Sequence, residues 1–191
     1  MKKYLTILLL GCLLLTFPAC SQENQEENSA LPSISESVSQ QNSASEPSNL
    51  QTDGTYTGEG YQLTAPRNWK LQTEQDVVLL VSPDYPDKAD CITVVKTSKD
   101  PSFDEMTEET YKMGLDAMFD DVQIQSFEKT AMDERDAVRV AYTSSMDGVS
   151  QLVHQLIVDD EEDTVTFTMI SESEDASEWI EGVEQSIQME E

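Results

Sequence analysis

Val149-Ser150-Gln151-Leu152-Val153-His154-Gln155-Leu156-Ile157-Val158, then Asp159-Asp160-Glu161-Glu162-Asp163, then Thr164-Val165-Thr166-Phe167-Thr168-Met169-Ile170 is the stretch that decides the architecture. Two runs rich in β-branched and apolar residues flank five consecutive acids. Side chains alternate across a strand, so Val165, Phe167 and Met169 share one face, while Thr164, Thr166 and Thr168 share the other. The pattern predicts two strands joined as an antiparallel hairpin, with residues 159–163 as its loop.

Upstream, residues 137–142 put Val138, Val140 and Tyr142 on one face of a further strand, and residues 122–130 lead into it through a turn at Met132-Asp133-Glu134. Shorter strands are expected at residues 61–65, at Val77–Val81 and at residues 92–95, with Trp69 and Leu71 following Pro66. Between these groups the period changes. Ser102 and Glu105 have the spacing of a capping box just after Pro101, and Tyr111, Leu115 and Phe119 recur every four residues, so one helix is predicted over residues 102–119. A second is predicted over residues 175–187, with Ala176, Ile180, Val183 and Ile187 inward and Trp179 on the flank. Strands, helix, antiparallel strands, helix is an α+β order: a mainly antiparallel sheet covered by helices. About 135 residues bury roughly two-thirds of their surface, enough for a core without staples.

Tyr61-Gln62-Leu63-Thr64-Ala65-Pro66-Arg67-Asn68-Trp69 resembles the opening strand, Pro and Trp of the Mog1/PsbP-like family, many of whose members are bacterial lipoproteins. The helix from Ser102, the paired strands near Ala137 and Val158, and Ser186-Ile187 in a last helix fit the same resemblance, which covers about residues 58–189. It implies an α/β/α sandwich and an accessory or binding role, and implies fold more than function. Where that family often has a Gly before the mid-domain strand, this chain has Asp133-Glu134-Arg135.

The domain, residues 55–191, is preceded by two segments of different texture. Met1-Lys2-Lys3 is a short basic start and residues 4–17 are almost wholly apolar, too short for the roughly 20 residues of a spanning helix but suited to a cleavable leader. Ala19-Cys20 followed by polar residues resembles the lipobox of bacterial lipoproteins, which implies removal of residues 1–19 and lipid attachment at Cys20. Leu9-Leu10-Gly11-Cys12 fits the lipobox better locally, but it leaves a very short apolar core and a leucine-rich mature end. Two acyl chains suffice for stable anchoring where one does not. Residues 20–54 begin with that lipid-bearing Cys20 and continue as Ser, Gln, Glu and Asn with scattered Leu31, Ile34, Val38 and Leu50. Too little apolar surface is available to offset ordering, so a disordered tether spanning on the order of 30 Å is expected.

Charge narrows the partners. Eleven basic against 38 acidic residues in 191, a net charge of −27, argue against nucleic acid, whose binding requires lysines and arginines to displace phosphate counterions. The expected partners are the membrane, through the N-terminal acyl anchor, and an envelope protein or small ligand of unknown identity.

Candidate chemistry is sparse, and nothing calls for a cofactor. His154 is the only histidine, with no Gly-x-Ser-x-Gly element to supply an activated serine, and is read as a packed or rim residue. Cys91 opens a strand with no basic residue closer in sequence than Lys88 and Lys96, and is read as structural. One histidine and one such thiol do not make a zinc site. Asp159, Asp160, Glu161, Glu162 and Asp163 offer oxygen ligands for a hard cation but lack the alternating spacing that wraps a loop around one, so no metal is assigned to them. Trp69 and Trp179 are expected in the core or at its edge, a sugar platform being the alternative. These readings point to a non-enzymatic, membrane-anchored binding or accessory module outside the cell. The alternatives are a cell-envelope hydrolase working through acidic residues and an acidic cation-binding surface.

Overall fold

The computed structural model describes residues 49–74, 77–146, 148–160 and 162–190. The leader, Cys20 and nearly all of the expected tether lie outside the described residues, as does Glu161.

Seven strands form one wholly antiparallel sheet. In chain order they are β3 (Lys70–Glu74), β4 (Val77–Val81), β5 (Cys91–Ser98), β6 (Asp120–Met132), β7 (Arg135–Met146), β8 (Val149–Asp159) and β9 (Asp163–Ser171), and in space they run β3-β4-β5-β9-β8-β7-β6. A second, three-stranded sheet joins β1 (Thr55–Thr57), β2 (Tyr61–Thr64) and β10 (Gln188–Met189). The helices are α1 (Glu108–Asp116) and α2 (Ser177–Ser186). Neither is long and apolar enough to cross a membrane.

The expected hairpin is present. Asp159 pairs with Thr164, and Asp160 and Asp163 exchange both backbone hydrogen bonds at the tip. β9 runs central in the sheet, with β5 on one side and β8 on the other. Its Val165, Phe167 and Met169 are buried in one core with Leu63, Leu156, Ile180 and Val183, between the large sheet and the layer of α2 and the small sheet. The opposite face of the large sheet is also covered. Val138, Val140 and Tyr142 share a second core with Phe103, Tyr111 and Leu115. A sheet between two covering layers gives the α/β/α sandwich.

α2 matches expectation closely. Ala176, Ile180, Val183 and Ile187 are buried, and Trp179 lies half-buried with its ring 5.0 Å from that of Trp69. The turn that delivers Trp69 closes by its N–H donating to the Pro66 carbonyl at 3.3 Å, with Asn68 at φ 68°, a left-handed conformation asparagine accepts readily. The two indoles therefore pack on each other at the core edge.

The helix predicted over residues 102–119 is shorter and broken. Residues Phe103–Glu105 form one 3-10 turn, Met106 is extended, and α1 starts at Glu108. The Ser102 hydroxyl is turned back onto Asp100 Oδ1 at 2.7 Å and does not cap. Thr107 caps instead. Its hydroxyl accepts from the Thr110 N–H at 3.2 Å while the Thr107 N–H donates to Thr110 Oγ1 at 3.0 Å. Thr-x-x-Thr satisfies the same two backbone donors as the usual Ser/Thr-x-x-Glu box.

The β6–β7 turn departs from the family pattern without losing its geometry. Met132 pairs with Arg135, leaving Asp133 and Glu134 as a two-residue loop with φ 48° and 67°. Positive φ at both positions is the type I′ hairpin turn, which ordinarily favours Asn or Asp followed by Gly. β6 is an edge strand, and its register with β7 shifts between Asp120 and Gln123 and again between Ile124 and Ser126.

Candidate functional site

The layer over the α1 face of the sheet is incomplete, and a cavity of about 460 Å³ opens between α1, the segment around residues 99–106 and strands β5, β9, β8 and β7. Pockets of about 300–1,000 Å³ with mainly apolar walls and a few placed polar groups are the usual form of small-molecule sites.

Strand alternation decides which side chains reach it. On β9 the threonine face forms its floor, and Thr97 of β5 lies opposite Thr164. On β8 the odd positions Gln151, Val153, Gln155 and Ile157 face it, and on β7 so do Tyr142, Ser144 and Met146. The roof and mouth are apolar: Leu115, Phe119 and the methionines Met106, Met113 and Met118. Met113 is 68% exposed on the outer rim of α1. Methionine side chains are flexible and polarisable, so this wall adapts to an occupant's shape.

Two groups of polar residues behave differently. The Tyr111 hydroxyl donates to Gln155 Oε1, and Gln155 Nε2 donates to Thr168 Oγ1 at 2.9 Å. All three are buried, and burial pushes the Tyr111 phenol well above its ordinary range, so it stays a neutral donor. This chain fastens α1 to the sheet. Ser144 and Gln151 face each other across β7 and β8, 3% and 7% exposed. Both line the cavity, and their side chains open onto it.

The charged lining residues, Lys99, Asp100 and Glu105, belong to the segment before α1. Lys99 is engaged with Asp159 at 2.8 Å, a contact that raises its pKa. Asp100 Oδ1 accepts from both the N–H and the hydroxyl of Ser102.

The acidic hairpin tip does not converge. Asp159 binds Lys99, Asp160 binds Arg135 at 2.9 Å and Asp163 binds Lys96 at 3.0 Å. The carboxylates are drawn to three different cations, and the Lys99 N–H also donates to the Glu162 carbonyl at 3.0 Å. The tip is therefore pinned to β5, to Lys99 just after it and to β7. No group of three or more potential metal ligands occurs among the described residues.

His154 lies half-buried on the α2 side of β8, beside Glu181 and Glu184 of α2 and Arg139 of β7. Burial lowers its pKa and the nearby Arg139 adds to this, against the two glutamates. Cys91 is fully buried in the core under α1. Neither residue lines the cavity. The sequence reading missed the site because its floor comes from four strands between residues 95 and 170. One signal was present: Gln151 and Gln155 alternate with Val153 and Ile157 on a single strand face, an apolar row carrying amides.

No protein-family model and no curated protein matches the chain. Solved structures do resemble it. The cyanobacterial PsbP, CyanoP, of Synechocystis sp. PCC 6803 aligns with a TM-score of 0.54 at 15% identity, over 77% of this chain and 96% of that one. The fold is PsbP-like. A protein of Bacteroides thetaiotaomicron VPI-5482 aligns with a TM-score of 0.50 at 10% identity over 74% of this chain, which spans only 50% of that protein. LpqN, described as involved in cell envelope biogenesis of Mycobacterium tuberculosis, aligns with a TM-score of 0.46 at 13% identity over 69% of this chain and 83% of that one. At such identities the likeness concerns fold, and a shared fold transfers no activity.

Proposed function

We propose that the chain is an extracytoplasmic lipoprotein, anchored through acylated Cys20, whose PsbP-like domain serves as a non-enzymatic binding or accessory module. The observation that carries the binding role is the cavity under α1. It has the size and mixed lining of a ligand site, while the polar groups of its floor are hydroxyls and amides that neither attack nor titrate near neutral pH. The leader and the Ala19-Cys20 element support the anchor, and the polar residues that follow supply the spacer.

The anchor is tested by metabolic labelling with a palmitate analogue combined with protease treatment of intact spheroplasts. Label in the wild type, its loss in Cys20→Ala and digestion of the domain from outside are expected. Label retained in the variant, or a domain protected until the membrane is broken, overturns the assignment. The competing hydrolase reading has one foothold, Asp100 and Glu105 lining the same cavity. Release of soluble sugar from isolated cell wall by the wild type, abolished in Asp100→Asn/Glu105→Gln, would replace the module by that hydrolase.

A further inference from the structure

From the cavity's lining we infer that it binds an uncharged amphiphile of the monoacylglycerol type, its hydroxylated head held by Ser144 and Gln151 and its hydrocarbon chain lying against the methionine wall of α1. The inference rests on the module reading and adds the ligand class.

The buried side-chain atoms without a partner among the described residues are Ser82 Oγ and Asp159 Oδ1, so the polar atoms of Ser144 and Gln151 open onto the cavity, where an occupant takes over the hydrogen bonding that water otherwise supplies. Ser144 and Gln151 are more than nine-tenths buried, lie directly across from each other and line open space. Together a hydroxyl and a carboxamide offer three donor hydrogens and several acceptor lone pairs. That set matches a head bearing hydroxyls or an ester carbonyl. It does not match a carboxylate, phosphate or ammonium. A buried ion needs a partner of opposite sign, and the lining charges lie in the segment before α1, with Lys99 already bound to Asp159. The net charge of −27 disfavours an anion further.

The apolar wall on the α1 side selects hydrocarbon. Phe119, Leu115, Met106, Met113 and Met118 supply apolar surface with side chains that re-pack around a flexible chain. Tyr111 and Gln155, which occupy each other, hold the wall in place and are not available to the ligand. Met113 at the rim is a large apolar side chain left in solvent, a placement explained if hydrocarbon passes it.

The test is equilibrium dialysis of the full chain in phosphatidylcholine nanodiscs against labelled 1-monodecanoylglycerol, with empty nanodiscs subtracting simple partitioning. Decanoate and decyltrimethylammonium are the charged comparators. Saturable binding of one glycerol ester per chain is expected, with at least tenfold weaker binding of both ions. Equal binding of either ion overturns the uncharged class. No excess over empty nanodiscs overturns the amphiphile and leaves the Cys20 labelling result unaffected, so the two failures are distinguishable. Ser144→Ala/Gln151→Leu is expected to weaken binding of the ester about tenfold, the loss of one to two hydrogen bonds. Unchanged affinity in that variant removes these residues from the site. Met113→Glu, at an exposed position that folding tolerates, places a charge in the path of the chain and is expected to weaken binding at least fivefold. Wild-type affinity there overturns the placement of the hydrocarbon.

Discussion

Glu134 shows how a residue can contradict its position and still be accommodated. The type I′ turn needs left-handed backbone at both loop positions, and a side chain with a Cβ pays about 1–2 kcal/mol for it. Glu134→Gly removes that strain and gives back part of the gain as unfolded-state entropy. The variant is expected to be more stable by about 0.5–1 kcal/mol, read from the midpoint of urea unfolding. A loss of stability would show that the Glu134 side chain contributes more than its backbone costs. His154 supplies the residue-scale pH dependence. Its native pKa lies below the 6.5 of a free histidine, because burial disfavours the charged ring. Above pH 6.5 both states are neutral and the contribution is fully present. As pH falls, the unfolded chain takes up the proton first, so stability is lost from about pH 6.5 down through the lowered native value. His154→Gln should flatten that part of the profile, and a profile identical to wild type between pH 7 and pH 5 would contradict the assignment. The sequence reading of the single histidine is a packed or rim residue, and the ring lies half-buried. The side of the sheet it occupies, and the glutamates opposite it, follow from where α2 crosses and are invisible in a linear reading.

At the scale of elements, periodicity carried most of the information and capping carried the error. β9 and α2 were legible because their alternation and four-residue recurrence persist over several repeats, and Phe167 and Ile180 are buried where the pattern places them. β1 and β10, of three and two residues, are too short to show a period, and only pairing with β2 makes them strands. The start of α1 was misplaced because Ser102 and Glu105 have the recognised spacing, whereas Thr107 and Thr110 do the capping. Thr107→Ala should destabilise the domain by about 0.5–2 kcal/mol, and Ser102→Ala by less, in thermal or urea unfolding. A larger loss from Ser102→Ala would restore the longer helix. Phe167→Ala, at a fully buried position on the central strand, should cost about 3–5 kcal/mol. A cost under about 1 kcal/mol would mean that the core collapses around the void.

For the molecule as a whole, charge is the dominant global property. With 38 acids against 11 bases, self-repulsion opposes compaction, while the ion pairs at the β8–β9 tip act locally. Raising sodium chloride from about 10 mM to about 100 mM shortens the screening length from about 30 Å to about 10 Å. The thermal midpoint of the domain is expected to rise over that range, and a fall would show that local pairs outweigh the global field. Fold class was legible from the succession of strands and helices along the chain. The cavity was not, because it exists only where four strands and α1 leave a gap that no short sequence window spans.

The twice-shifted register of β6 has a consequence for how copies of the chain behave as neighbours. An edge strand with an open ladder invites another chain to extend the sheet, and the invitation is strongest where the strand is straight and uncharged. β6 is neither. Its pairing slips twice, and Asp120, Asp121, Glu128 and Lys129 stand exposed along it. Molecules crowded side by side would meet at a crooked, ionised margin that resists zipping into a shared ribbon, so density alone should not drive them into fibrils.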